Sequence, residues 1–533
     1  MQAGRTDFDE DGDVSTVVEE RSDVASSPPF TTRHHRLLLR FGLPLVAVAA
    51  VLAGVFAALH GAQKGSLAGL GAAVAILIAA AIAYLGLSLP GISREGVFVG
   101  ACTAGAAIMS WTHTTQPAYV WSILAVEGVG LAVWTFPWWR DLPLLVRLGS
   151  AWVGIAVWAL GTVSAVLVLH TTVAAQRAVY GALAALVALL WVQAARRRGV
   201  DPSLGFVAAL LVALALVVAA GAANVFTLTH YTPPGPWGAR FNSRFWGGPL
   251  LVYHPNLMAL SAMVVAMRLG PDAMLRRWKR IGGVGVAVFF LYETNSRTSV
   301  LVALMASLVW LIARVITETR ARRHDRRSWV SAATARAVVI AVLPALLTIS
   351  VVGVAGGRSF LLQNRYGAPQ STSADAVDGD LSAQGGFKGL SSGRSDVWKL
   401  IFKQWSSDSL VEKLAGNDDN SRGYILRYGP KVPITIQPKL TADNAPIGAL
   451  HRSGVLGVLA FAFGGLLLLW NVWRRRPPLW YVITVFGAAA TIMTEDELLG
   501  GAGSTVWAAL LAGEVALLAA RGRRASEPDA ALP

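Results

Sequence analysis

Residues 203–223, SLGFVAALLVALALVVAAGAA, contain no charged side chain and follow shortly after Arg196, Arg197 and Arg198. A helix needs about 20 apolar residues to cross the hydrocarbon core of a bilayer, which is about 30 Å thick. The run has this length and composition, and its backbone must be helical where no water is available to hydrogen-bond it. The stretch therefore predicts a membrane-spanning helix, near 203–228, that begins beside a basic cluster.

Similar apolar runs recur along most of the chain. They lie near 40–60, 66–88, 95–112, 118–137, 147–169, 173–194, 203–228, 249–268, 281–294, 298–317, 335–356, 447–470, 478–494 and 501–520. Apolar residues make up 54% of the 533 residues and charged residues only 14%, whereas soluble domains have about 25% charged residues. The mean hydropathy of +0.52 agrees. We predict an all-α polytopic membrane protein with about 12–14 transmembrane helices, and the composition excludes a disordered chain and argues against a soluble enzyme.

The net charge is +15, and the basic residues lie in short clusters between the apolar runs. If the N-terminus is cytoplasmic, every second connector carries one of these clusters. They contain Arg94, Arg140, Arg147, Arg196 to Arg198, Arg276 to Arg280, Arg320 to Arg327, Arg474 to Arg476, and Arg521 to Arg524. This alternation follows the positive-inside rule. It predicts a multi-pass protein of the plasma membrane with both termini in the cytoplasm, and it explains the charge without a nucleic-acid partner.

The polar ends and the single cysteine set further bounds. Residues 1–35 have too few apolar side chains to fold alone and predict a disordered cytoplasmic tail, and residues 521–533 form a second tail. The first apolar run begins near Leu37 and lacks the pattern of a cleavable signal peptide. Transmembrane helices are expected within 36–356 and 443–520. Cys102 is the only cysteine, which excludes an intrachain disulfide and a cysteine-based zinc or iron–sulfur site.

One connector, residues 357–442, is far longer than the others and is predicted to be a large extracytoplasmic loop. Loops of this length without a role are uncommon. Within it, a Ser-rich start from Ser391 to Asp396 leads into Val397 to Trp405, which has apolar side chains at helical spacing at 397, 398, 401, 402 and 405. This pattern predicts an amphipathic helix that lies on the membrane or caps the helix bundle.

Three segments on the predicted outer face carry most of the candidate functional residues. The first is Gly247-Gly248-Pro249 with His254-Pro255-Asn256. The second is Glu293-Thr294-Asn295-Ser296-Arg297-Thr298, a sharp turn between two spans. The third is Asp443-Asn444, separated by nine residues from Gly454-Val455-Leu456-Gly457. With Arg394 in the large loop, they predict one site at the outer membrane surface that is split across the sequence.

This set resembles the bacterial O-antigen ligase and O-antigen polymerase superfamily, whose members are polytopic membrane glycosyltransferases with one large outer loop. The family has a Ser-Arg turn before a span, matched by Ser296-Arg297, and a loop arginine, best matched by Arg394. It also has a His-Asn pair separated by nine residues from Gly-x-x-Gly, matched from Asn444 to Gly457. The resemblance covers about residues 245–500. It departs from the family at Asp443, which stands where the family usually has histidine.

The resemblance implies transfer of a glycan from a polyprenyl-pyrophosphate donor to a hydroxyl of a glycan or glycolipid acceptor, by a ligase or a polymerase. Arg297 and Arg394 would stabilise the negative charge of the pyrophosphate. Asp443 would be the general base for the acceptor hydroxyl. The substrate-binding candidates are His254, Asn256, Asn444 and Glu293. No metal and no cofactor are expected, because arginines would neutralise the pyrophosphate.

Each candidate also has a structural interpretation. Asp443 or Asn444 can cap the helix that begins near Ala445, His254 can be a helix-start residue satisfied by its neighbours, and Glu293 can simply orient Arg297. The arginines can bind lipid phosphate. Two carboxylates, Glu127 and Glu514, fall within predicted spans, where carboxylates are usually functional or paired.

Two other functional classes stay open. A glycolipid transporter or flippase would be expected to show broken helices, central charges and an internal repeat, and the sequence shows few central charges and no clear repeat. A non-catalytic membrane scaffold is the second alternative, and the aspartate in place of the family histidine keeps it open.

Overall fold

The apolar runs form α-helices in the computed structural model, which describes residues 92–112, 127–132, 134–135, 140–164, 172–221, 245–247, 252–272, 275–294, 296–322, 394–416, 444–475, 477–492 and 504–526. The helices are α1 (Arg94–Thr112), α2 (Leu142–Leu145), α3 (Gly149–Ala151), α4 (Val157–Ser164), α5 (Thr172–Arg198), α6 (Pro202–Ala220), α7 (Pro255–Leu269), α8 (Arg277–Thr294), α9 (Arg297–Arg322), α10 (Arg394–Ser407), α11 (Leu410–Ala415), α12 (Ala445–Arg475), α13 (Leu479–Ile492) and α14 (Thr505–Ser526). A π-helical turn, Trp152–Ala156, joins α3 to α4. These ranges contain no β-strand, only an isolated bridge between Gly247 and Val252, so the all-α class is confirmed for them.

The helices agree closely with the predicted runs. Each predicted run from 147–169 to 298–317, and each run after residue 447, is helical over most of its length. Two helical segments in the described ranges are long and apolar enough to cross a membrane, Pro202–Ala219 and Ala445–Arg475, and six shorter helical segments are apolar over 10–17 residues. These segments support association with a membrane. The predicted runs 40–60, 66–88 and 335–356, the tail 1–35 and most of the loop 357–442 lie outside the described residues.

Small residues let neighbouring helices approach closely. α1 packs against α6 along its length, and a Cβ atom added to Gly96 or Gly205 would collide with backbone atoms of the partner helix. The same holds between Gly149 at the start of α3 and Gly464 in α12. Close contact between glycine-bearing faces is the usual way in which helices associate within a bilayer, where burial of apolar surface gives little driving force.

A buried arginine ties three helix ends together. The Nε of Arg268, near the C-terminus of α7, donates to the Ser203 hydroxyl at 2.7 Å, and its guanidinium bonds Asp272 and Asp201. The same group lies 4.5 Å from the centre of the Trp480 ring, at the start of α13. The end of the bundle that holds Arg268, Asp201 and Trp480 is called the basic end below.

The position of the basic end shows on which side of the bundle the other helix ends lie. α6 starts and α7 finishes at the basic end, so Gly221 after α6 and His254 before α7 lie at the opposite end, called the motif end. α12 finishes at Arg475, shortly before α13 begins beside Arg268, so α12 starts at the motif end.

Candidate functional site

The first predicted segment forms a tight turn at the motif end. The Tyr253 N–H donates to the Trp246 carbonyl at 3.0 Å, beside the bridge between Gly247 and Val252. Trp246 and Tyr253 are fully buried, and the His254 ring meets the Trp246 ring edge-on with centroids 5.4 Å apart. Local packing therefore fixes His254, which immediately precedes α7.

The second segment lies directly against the first. The Phe245 N–H donates to the Glu293 carbonyl at 3.0 Å, and the Glu293 side chain is buried. Ser296 precedes α9, and its hydroxyl accepts hydrogen bonds from the N–H and the hydroxyl of Ser299, at 3.4 and 3.1 Å. Arg297 is the first residue of α9. The structure thus brings the predicted Ser-Arg turn next to the His254 turn, as expected for one site. The Arg297 side chain lies outside what the structure describes.

The third segment begins α12. The Asn444 side-chain oxygen accepts from the Ile447 N–H at 3.1 Å, and the Asn444 carbonyl accepts from the Gly448 N–H at 2.8 Å. The Asn444 side chain is buried. Of the two residues that could cap this helix, Asn444 is therefore the one that does so. Asp443, the candidate base, lies outside the described residues.

The amphipathic helix predicted around Val397 to Trp405 is observed as α10, Arg394–Ser407. The short helix α11 follows, with reciprocal capping bonds between Ser409 and Glu412. The Trp405 indole N–H donates to the Lys413 carbonyl at 3.3 Å and joins the two helices. Both pack against α12, and α11 also contacts α4, so this part of the loop caps the bundle. The Arg394 side chain lies outside what the structure describes.

α12 is broken where the loop helices contact it. Gly454 has φ +62° and ψ −157°, which lies outside the helical region. A Cβ on Gly454 would collide with the Leu414 carbonyl group, and a Cβ on Gly416 would lie 2.5 Å from backbone atoms of Arg452 and Ser453. The first glycine of the predicted Gly-x-x-Gly motif therefore both breaks the helix and lets the end of α11 approach its backbone.

We expect Gly454→Ala to separate α11 from α12. Only glycine populates this backbone region readily, and strain of this kind costs about 1–3 kcal/mol, to which the collision with Leu414 adds. Limited proteolysis of the full-length protein in detergent should then cleave between residues 394 and 416 faster than in the wild type. Gly465→Ala is the matched control, because the same helix has open space at Gly465. Equal cleavage rates for Gly454→Ala and the control would contradict this role for Gly454.

An arginine that the sequence analysis did not select lies beside this contact. The Arg452 guanidinium is 5.5 Å from the centre of the Trp158 ring on α4. The neighbouring Ser453 hydroxyl donates to the Val157 carbonyl at 2.6 Å and anchors α12 to α4. The signal that could have found Arg452 is its position as a charged residue inside the predicted span 447–470.

The candidate residues thus form two groups at one end of the bundle. His254, Asn256, Glu293 and the start of α9 form the first group, around helices that pack on α13. Asn444, Gly454 and the loop helices form the second group, beside α4. In the described ranges, no set of three or more His, Cys, Asp or Glu side chains is arranged to hold a metal ion.

No family model matches the sequence, and no curated protein matches it either. The likeness to the O-antigen ligase and polymerase superfamily therefore rests on the quoted motifs.

Proposed function

We propose that this chain is a polytopic membrane glycosyltransferase of the O-antigen ligase or polymerase type. It acts at the outer face of the plasma membrane, and both of its termini are cytoplasmic. The observation that carries the proposal is the placement of the starts of α7, α9 and α12 at the motif end, opposite Arg268. The three segments that carry the resemblance are far apart in the sequence, and a shared site requires them to lie at the same end.

The charge distribution supports this orientation. Arg196 pairs with Asp141 at 2.7 Å, and Arg280 donates to the Gly270 carbonyl at 2.8 Å, both near the basic end. Clusters of basic residues favour the cytoplasmic side of a membrane, which leaves the motif end on the outer side. Exposed apolar residues on α8 and α9, among them Ile281, Leu308 and Ile312, supply surface for contact with lipid.

The proposed reaction transfers one glycosyl group and needs no redox partner. The acceptor hydroxyl oxygen attacks the anomeric carbon of the donor while the bond from that carbon to the pyrophosphate oxygen breaks. Asp443 takes the hydroxyl proton, and the bond electrons leave with the polyprenyl pyrophosphate. Arg297 and Arg394 begin α9 and α10, so their charges add to the positive ends of two helix dipoles. This arrangement suits the charge that develops on the leaving pyrophosphate.

The remaining candidates have supporting roles in this proposal. The His254 ring contacts Trp246, whose neighbour Phe245 bonds the Glu293 carbonyl, and Asn256 lies in the first turn of α7. In this proposal, His254 and Asn256 bind sugar hydroxyls. Asn444 holds the first turn of α12, and the proposed base Asp443 is its neighbour in the sequence.

The test is a comparison of lipid-linked glycans in cells with and without the protein. Accumulation of long glycans on the polyprenyl carrier identifies a ligase, and accumulation of single repeat units at the outer face identifies a polymerase. Accumulation at the inner face would identify a transporter instead. Unchanged donor pools and unchanged surface glycans would overturn the proposal and favour a scaffold.

A further inference from the structure

One face of α12, below the break at Gly454, carries a continuous exposed apolar stripe. Its members are Leu456, Leu459, Phe463, Leu466, Trp470 and Trp473. They recur every three or four residues, as one side of a helix does. From the first to the last, the stripe extends about 26 Å at a rise of about 1.5 Å per residue. The hydrocarbon core of a bilayer is about 30 Å thick, so the stripe fits contact with acyl chains.

Basic residues paired with aromatic rings lie at both ends of this stripe. At the basic end, the Arg474 guanidinium is 5.4 Å from the centre of the Trp470 ring. At the motif end, Arg452 lies just before the break at Gly454, beyond the Leu456 end of the stripe, with its guanidinium 5.5 Å from the centre of the Trp158 ring. Headgroups extend the bilayer from about 30 Å to about 40–45 Å. Arg452 therefore lies past the end of the apolar stripe, on the side where the outer headgroup phosphates would be.

The surroundings of Arg452 hold its backbone in one place. Gly416, at the end of α11, packs against the Arg452 carbonyl group, and the Ser453 hydroxyl bonds the Val157 carbonyl at 2.6 Å. The Arg452 side chain is only partly buried. A guanidinium has five N–H donors in a planar fork, so it can contact an aromatic face and still bind phosphate oxygens.

We propose that Arg452, which lies over the Trp158 ring beneath α11, is a phosphate-binding residue for the pyrophosphate of the polyprenyl-linked donor. This inference deepens the proposed function and rests on it. A lipid-anchored pyrophosphate is confined to the headgroup region, which is on the Arg452 side of the apolar stripe. The helix that covers Arg452 is α11, which follows α10 in the large loop, so the site connects this loop to the third segment. An ordinary phospholipid phosphate offers the same chemistry in the same region, and the experiment separates the two ligands.

The experiment measures binding of polyprenyl pyrophosphate, without a glycan, to the full-length protein in phosphatidylcholine nanodiscs. We expect Arg452→Gln to weaken binding about tenfold or more, the effect of losing a charge-assisted phosphate contact. Arg452→Lys keeps the charge but loses the paired geometry and should fall between Arg452→Gln and the wild type. Arg474→Gln is the matched control, because Arg474 lies over a tryptophan ring of the same helix at the opposite end. It should bind like the wild type.

The outcomes separate this inference from the proposed function. If the wild type does not bind polyprenyl pyrophosphate, the proposed function itself is wrong. If the wild type binds and folded Arg452→Gln binds within twofold of it, only the role of Arg452 is wrong. Nanodiscs with added phosphatidylglycerol test whether Arg452 binds ordinary lipid phosphates instead. If this lipid abolishes the difference between Arg452→Gln and the wild type, Arg452 is a general headgroup contact, and the assignment to the donor is overturned.

Discussion

Replacing Glu514 by alanine is expected to lower the free energy of unfolding by at least about 3 kcal/mol. The Glu514 carboxylate is buried in α14 and accepts four hydrogen bonds. The donors are the Gly149 N–H at 2.9 Å, the Ser150 N–H at 2.8 Å, the Ser150 hydroxyl at 2.5 Å and the Asn471 amide at 2.8 Å. Each buried donor left without an acceptor costs about 1–3 kcal/mol. The alanine variant leaves all four of these donors without an acceptor.

Glu514→Gln gives a sharper test because it preserves the size of the side chain. Each carboxylate oxygen accepts one backbone N–H, from Gly149 or from Ser150. In either orientation of the glutamine amide, its NH₂ group faces the backbone N–H of Gly149 or Ser150. Two donors cannot bond to each other, so at least one backbone N–H stays without an acceptor. We therefore expect a loss smaller than for alanine but larger than about 1 kcal/mol.

The measurement is unfolding of the full-length protein in mixed detergent micelles, followed by tryptophan fluorescence. Asn471→Ala, which removes one of the four donors and leaves the two backbone bonds in place, should cost less than either Glu514 variant. Equal stability of Glu514→Gln and the wild type would show that the carboxylate does not hold α3 to α14 in this way.

Glu514 also illustrates what the sequence could and could not predict. The sequence located a carboxylate inside an apolar run and indicated a functional or paired group, because an isolated charge in a bilayer is costly. It could not identify the partners, since Gly149 and Ser150 lie 365 and 364 residues away in the chain. A helix is encoded locally by its apolar period and its caps, whereas a contact between helices depends on which faces meet.

The same distinction applies to the candidate site. The motifs indicated where α7, α9 and α12 begin, and the start of α12 could be narrowed to two capping residues, of which the geometry selects Asn444. The break at Gly454 could not be predicted, because a Gly-x-x-Gly motif is compatible with a continuous helix. Its cause is the close approach of α11, whose residues come from a different part of the chain. Arg452 was not selected because its role depends on Trp158, far away in the sequence.

The capping bond of Asn444 makes Asp443→Asn a clean test of the proposed base. Under the proposed mechanism, this variant removes the carboxylate that takes the proton from the hydroxyl of the acceptor sugar. General-base catalysis contributes about 10²–10⁴-fold to a reaction rate. We therefore expect the rate of glycan transfer from a polyprenyl-pyrophosphate donor to decrease by about 10²–10⁴-fold. Stability should stay at the wild-type level, because Asn444, which this variant retains, accepts the Ile447 N–H.

Asn444→Ala completes the comparison, since it removes the cap and keeps the carboxylate of Asp443. Loss of an asparagine cap costs typically about 1 kcal/mol, so this variant should unfold more readily than Asp443→Asn in the same detergent. The two substitutions therefore separate a chemical role from a structural one at adjacent positions. Full transfer activity in stable Asp443→Asn protein would mean that Asp443 is not the base. The proton would then have to go to another group at the motif end, and His254 would be the next residue to replace.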